Sequence, residues 1–418
     1  MMDFSRYRKQ FPALQQEING NKIIRFDNAA GTQVPQIVID RITDYLSNYN
    51  ANTEGMFEAS IRSDEMLRQV HEALADFLNA RSYREIVMGQ NMTSLTQMLS
   101  RSLGREFREG DEIIVTRMDH DANVSPWLDL RERGVAIRFA DINPDDVTLD
   151  WSSFKSQLSS KTKLVAVTYA SNAFGTINDV AEVVRQAHAH GALCLIDAVH
   201  YAPHGPIDVQ KLDCDFLVCS GYKYFGPHTG ILYGKEEQLN KLYAYKVRPQ
   251  HDDLPDRFEW GTLNHEGLAG LLGAIEYLER IGHDAEEYHA DDFKEYSGRR
   301  RALKIAMSSI RDYEITLTEH LLNELKGLEN VTIYGITDPR RLTDRVPTFA
   351  VTVRGKTPRE AAGLIAKEGI CVWDGNYYAL EPMVRLGLEE RGGAIRISLV
   401  HYNTHEEIDR LIAAMRKL

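Results

Sequence analysis

The chain has 418 residues, more than one ordinary domain of roughly 150 residues would need, and its 43% hydrophobic and 26% charged content is that of a soluble globular protein. A formal net charge of −12 disfavours nucleic acid as the main partner, because phosphate recognition needs a basic face. No stretch approaches the ~18 uninterrupted apolar residues of a membrane span, and the N-terminal MMDFSRYRKQFPAL lacks an apolar signal core, so cytoplasmic residence is the expectation.

In chain order, Ile86-Val87-Met88 reads as a strand. It is followed by "MGQNMTSLTQML", where Asn91, Met92 and Thr93 open a helical pattern. Glu112 to Val115, Val135 to Phe139 and Lys163 to Thr168 are short apolar runs. Val180 to His190 has helical periodicity, and Gly191 is placed to cap it. Ala192 to Ile196 and Asp215 to Val218 are again apolar throughout. Such runs, separated by helices, predict strands buried on both faces of a mostly parallel sheet. After about residue 280 the character changes. Residues 284–328 read as charged and helical. Strands are expected at Val331 to Tyr334, Thr348 to Val353 and Ala394 to Leu399, with helices at Pro358 to Glu368 and His405 to Lys417. The expected division is a large domain over 20–280 and a smaller α+β domain formed by 1–19 and 281–418. The four cysteines, Cys194, Cys214, Cys219 and Cys371, have no metal-like CxxC spacing. They read as reduced, buried, structural thiols.

Ligands in open α/β sheets favour the carboxyl ends of strands. Asp197 follows one apolar run, and Lys223 follows another in "CSGYKYFGPHTG". An acid for a pyridinium N–H and an amine for covalent attachment are the two protein groups a pyridoxal phosphate enzyme needs most. Each has an ordinary alternative, a helix cap or turn for the Asp and a surface turn for the Lys. The polar loop before the Met92 helix suits a phosphate, or is a simple N-cap.

Together these segments resemble the cysteine desulfurase and selenocysteine lyase group of the class V aminotransferase fold. "RFDNAAGTQVP", "MDHDANVSPW", "SNAFGTIND", "LIDAVH", "SGYKYFGPHTGILYG", "RFEWGT" and "IRISLVHYNTHEEID" carry the likeness over nearly the whole length. The resemblance implies an α/β, fold type I architecture and a pyridoxal 5′-phosphate cofactor. It implies that Lys223 joins the cofactor and then moves the substrate proton, that Asp197 pairs with the ring nitrogen, and that His120 stacks on the ring. Asn172 and His200 would contact the ring hydroxyl region, His200 standing where the family usually has Gln. Thr93 and Ser220, with the Asn91–Met92 turn, would hold the phosphate. Tyr222 replaces the usual His and offers a hydroxyl there. Thr262 would reach a neighbouring subunit's phosphate, implying a homodimer. Arg396 would grip the carboxylate of a small amino-acid substrate, beside Asn172.

The likeness breaks where the family carries its persulfide-forming cysteine. Here the loop reads Trp373-Asp374-Gly375-Asn376-Tyr377-Tyr378-Ala379, with Tyr378 at the cysteine's position. Asp121 replaces a second histidine, and "NANTEGMFEAS" lacks a usual His-Arg pair. A phenol cannot take sulfur from cysteine. The expectation is therefore a C–S lyase acting on a cysteine-like or cystine-like amino acid by β-elimination. A desulfurase with another acceptor, an aminotransferase or epimerase, and a non-catalytic scaffold are the competing readings.

Overall fold

The apolar runs form a seven-stranded sheet in the computed structural model, which describes residues 2–18 and 20–418. Its strands are β1 (Ile86–Gly89), β2 (Glu112–Thr116), β3 (Ala136–Ala140), β4 (Thr162–Thr168), β5 (Leu193–Asp197), β6 (Phe216–Ser220) and β7 (Gly230–Gly234). The order across the sheet is β1-β7-β6-β5-β4-β2-β3. Strands β3, β2, β4, β5 and β6 run parallel. Strand β7 is antiparallel to both its neighbours. Alternation explains why these runs are apolar throughout. Val165, Val167, Cys194, Ile196 and Leu217 enter one core, while Leu164, Ala166, Leu195, Phe216 and Val218 enter a second on the opposite face.

Seven helices matter for the site and its frame: α1 (Gln36–Asn48), α2 (Met92–Leu103), α3 (Val180–Ala189), α4 (His265–Asp284), α5 (Gly298–Lys326), α6 (Pro358–Lys367) and α7 (His405–Met415). Helix α3 ends as the sequence predicts. Gly191 adopts φ +73°, and the Ala192 N–H returns to the Ala187 carbonyl. The charged stretch from 284 is not one helix. A short 3-10 turn at Glu286–His289 and helix α5 flank a non-helical stretch in which Phe293 takes left-handed backbone.

A second sheet contains β8 (Val331–Tyr334), β9 (Thr348–Val353), β10 (Trp373–Gly375) and β11 (Ala394–Ser398) in the order β8-β9-β11-β10, antiparallel throughout. Helices α6 and α7 cover it, and Leu317, Leu321 and Leu325 of α5 join its core. The first half of α5 supplies Leu303, Ile305 and Ile310 to the large core, so one helix serves both bodies. The N-terminal segment, expected with the smaller body, also bridges: Phe11 packs on Phe225 and on Tyr402. Among the described residues no helix is long and apolar enough to cross a membrane. None of them form a group of three or more His, Cys, Asp or Glu placed to hold a metal.

Candidate active site

The strand order reverses between β2 and β4, which opens a crevice at the carboxyl ends of the parallel strands. Each neighbouring strand delivers a side chain there. After β2 come Asp119 and His120. Thr168 closes β4 and Asn172 follows it. Asp197 closes β5 and His200 follows. Beyond β6 stand Tyr222 and Lys223. A cleft is lined by Met92, Thr93, His120, Asn172, Asp197, His200, Tyr222 and Lys223, together with Thr168, Ala170 and Val199. Eight of the residues singled out in the sequence thus meet in one place.

Lys223 is buried, with its Nζ donating to the Ala29 carbonyl and lying 4.8 Å from the Tyr222 ring centre. Burial, reinforced by the nearby Arg396 charge, lowers its amine to about 7. An amine near neutrality is partly free at physiological pH and can act as a nucleophile. Asp197 accepts from the Val199 N–H at 2.9 Å and feels the positive charge of nearby Lys223. Burial raises its carboxyl to about 6. The His120 imidazole is held down at about 4 by burial and by the positive charges of Lys223 and Arg396. Its Nδ1 accepts from the Ala122 N–H at 3.0 Å, which fixes the neutral tautomer with the proton on Nε2. His200 is buried and neutral for the same reason, its Nε2 facing the Thr348 hydroxyl of β9 at 2.9 Å.

Arg396 on β11 is buried and donates to the Asn172 carbonyl at 2.9 Å, with its guanidinium 4.3 Å from the Tyr377 ring centre. Its Nε has no partner. The roof is the loop after β10. Asn172 Nδ2 donates to the Tyr377 carbonyl at 3.0 Å, and the Asp121 N–H donates to the Tyr378 carbonyl at 2.7 Å. The Tyr377 hydroxyl donates to the Ala394 carbonyl. Tyr377 and Tyr378 take φ of 58° and 59°, a strained pair of left-handed residues that costs about 1 kcal/mol or more each. The Tyr378 ring stacks on His120, with 5.5 Å between centroids and 20° between planes.

The residues present fit a pyridoxal phosphate. Asp197 is a buried acid whose side chain accepts from the Val199 N–H, and the Asn172 Oδ1 and Ser220 Oγ are buried polar atoms without a hydrogen-bond partner. Helix α2 presents its first N–H groups beyond an Asn91 cap whose Oδ1 accepts from Ser94 N–H at 2.8 Å. Gly230 lets that turn sit close, because a Cβ there would lie 2.2 Å from the Asn91 carbonyl carbon. Asn91 and Ser220 border the cleft without lining it. Thr262 is not brought to it. It is exposed and lines two other depressions, one of them shared with Gln90, Ser94 and His228. Cys371 departs from the expected buried thiols: it ends a two-residue strand, Ile370–Cys371, and its thiol is only partly buried, 3.7 Å from the Arg25 guanidinium. Asp119 was missed. It is buried, accepts from the Thr116 N–H and from Asn123 Nδ2, and is raised to about 7 by burial. Its signal was the Thr three before and the Asn four after. Thr348 and the Ala29 carbonyl left no mark in the sequence.

A reactive buried lysine, a buried acid and an anion-ready helix start, at the strand ends of a mostly parallel sheet, define a fold type I pyridoxal phosphate enzyme. The chain belongs to the class-V aminotransferase family, whose profile matches residues 24–300 and 300–411. A probable cysteine desulfurase of Synechocystis is 34% identical over 424 residues, covering 98% of this chain and 94% of that protein. The apo structure of a cysteine desulfurase from Thermococcus onnurineus superposes with a TM-score of 0.87 at 29% identity, covering 100% of this chain and 98% of the other. A C-DES mutant with glycine linked covalently to its PLP cofactor shares the fold, with a TM-score of 0.79 at 19% identity over 98% of each chain.

Proposed function

We propose that this enzyme cleaves the C–S bond of a cysteine-type amino acid by β-elimination, releasing pyruvate, ammonium and the sulfur fragment. Pyridoxal 5′-phosphate dependence and C–S bond cleavage rest on the family and on relatives named cysteine desulfurases. The observation that favours elimination is the lack of a thiol at the cleft. Cys194, Cys214 and Cys219 are buried with thiols pushed up by burial, Cys371 is raised for the same reason, and none lines the cleft. No cysteine of the chain is therefore placed to carry sulfur away as a persulfide.

When bound, the cofactor supplies an electron sink for the charge left by loss of the α-proton. Lys223 would hold it, and its Nζ would take that proton. Asp197 keeps the ring nitrogen protonated. His120 covers one ring face, and its neutral tautomer adds no charge there. Asn172 and His200 orient the ring hydroxyl. The N–H groups at Met92 and Thr93, with the Thr93, Ser220 and Tyr222 hydroxyls, hold the phosphate. Arg396 binds the substrate carboxylate through its fork, the unpartnered Nε included. Thr262, away from its own cleft, serves the phosphate of a second subunit, so the working unit is a cytoplasmic homodimer without nucleic-acid or membrane partners.

The test is carbon-product analysis with L-cysteine and L-cystine. Pyruvate supports elimination. Alanine instead identifies a desulfurase with an external acceptor. A need for stoichiometric keto acid identifies an aminotransferase, racemised substrate an epimerase, and a cofactor band without turnover a scaffold.

A further inference from the structure

The Tyr377–Tyr378 turn is strained and pinned at both carbonyls, yet it holds the Tyr378 side chain 73% exposed. A loop free to relax would fold that ring away. The ring is not stray surface, because its face lies against His120, a wall of the cleft. Trp373 opens the short strand that leads into this loop. It pairs directly with Arg396 across β10 and β11, so both side chains project from one face of the small sheet. Trp373 is 49% exposed while Arg396 is buried, so the indole lies outward of the guanidinium. Leu380 and Val384, four apart in the helical turn that follows the loop, are exposed apolar side chains on one face of that turn.

We propose that this aromatic mouth is a subsite for the sulfur substituent, and that the substrates are cysteine S-conjugates carrying an apolar or aromatic group. The inference rests on the C–S cleavage proposed above. With the carboxylate at Arg396 and the α-carbon at Lys223, an apolar substituent on sulfur has the aromatic side chains of this loop to lie against, a surface that the small thiol of free cysteine does not use. The reaction is RS–CH2–CH(NH3+)–CO2− + H2O → RSH + CH3–CO–CO2− + NH4+. The α-proton goes to Lys223 Nζ, the Cβ–S electron pair leaves with sulfur, and water converts the three-carbon remainder to pyruvate and ammonium. No oxidant, reductant or protein thiol takes part, which agrees with a cleft lined by none.

The experiment uses the holoenzyme and two paired comparisons. In the first, kcat/KM for pyruvate release is measured with S-benzyl-L-cysteine and S-methyl-L-cysteine. In the second, competitive inhibition is measured with their uncleavable carbon isosteres, 2-amino-5-phenylpentanoate and norvaline. The benzyl member is expected to win both by about tenfold, equivalent to ~1.4 kcal/mol. Tyr378→Asn, which keeps a residue tolerant of left-handed backbone, and Trp373→Ala should each pull that preference towards unity. Equal handling of benzyl and methyl members, or a preference untouched by both variants, overturns the subsite. That includes the case in which these exposed side chains bind a protein. Isosteres that differ as expected while no cysteine derivative yields pyruvate would uphold the subsite and refute the C–S reading instead.

Discussion

The two walls of the cleft hold their side chains by different means. On the sheet side, Asp197 and Lys223 take their places from β5 and β6, strands buried on both faces and locked by parallel pairing. Burial moves their ionisation towards neutrality, with the Arg396 charge adding to the shift at Lys223. On the other side, the loop from Trp373 to Ala379 has only the short β10 ladder, then individual hydrogen bonds to Asp121, Asn172 and Ala394. Trp373 and Tyr378 stay exposed, while Tyr377 tucks against Arg396. On the proposed function, proton chemistry would sit on the scaffold and substrate choice on a tethered loop, so the second could vary while the first is kept.

Substitutions should separate the walls. Lys223→Ala removes the attachment point and the base, and should lower turnover by about 10²–10⁴-fold with loss of the protein-linked visible band. Survival of turnover within a few-fold would move the chemistry elsewhere. Asp197→Asn leaves a buried ring nitrogen without its acid. At about 3 kcal/mol, turnover should fall roughly a hundredfold while the fold persists by circular dichroism. Arg396→Lys keeps the charge and loses the fork, so KM should rise about tenfold, in line with ~1.5 kcal/mol for a charged hydrogen bond. A change confined to kcat would contradict carboxylate binding.

The pH dependence tests the scaffold wall directly. Below about 7 the Lys223 amine carries its proton and cannot attack an aldehyde; above it the free amine predominates. The rate of pyridoxal phosphate capture by cofactor-free protein should therefore rise with pH and be half complete near 7. A rise centred near the ordinary lysine value of about 10.4 would mean a solvated amine. The smallest effect on stability belongs to the loop. Tyr378→Cys at an exposed site should change stability by no more than about 0.5 kcal/mol, yet shift the product of L-cysteine from pyruvate towards alanine, with sulfur on the introduced thiol. An unchanged product ratio would show that the loop cannot deliver sulfur even when given a thiol.

Much of the scaffold wall was legible because its signals are local. A run apolar throughout can only be a strand with two buried faces, and the polar residue ending it marks the crevice. That places Asp197 and Lys223 without knowledge of long-range contacts, whereas Asn172 came from the family resemblance. His120 and Arg396 needed the family resemblance, since a lone His or a strand Arg has no chemical signature of its own. What escaped the sequence depends on distant backbone. The Ala29 carbonyl beneath Lys223 and the Thr348 hydroxyl beside His200 come from segments 194 and 148 residues away. Two consecutive left-handed tyrosines have no sequence mark either, because tertiary hydrogen bonds impose them against local preference.

The Ala29 carbonyl has a consequence for how the enzyme comes into being. The segment that carries it is held by the far end of the chain. Ile24 and Arg25 pair with Ile370 and Cys371, the Ala29 N–H donates to Ser398 Oγ at 2.7 Å, and Asn28 Nδ2 donates to Asn403 Oδ1 at 3.0 Å. A ribosome that has made the whole large sheet has still not made the parts that seat its lysine. Such distant pairings form slowly. Cofactor loading is thereby deferred until the polypeptide is all but finished, and a prematurely terminated chain cannot become a partly working enzyme.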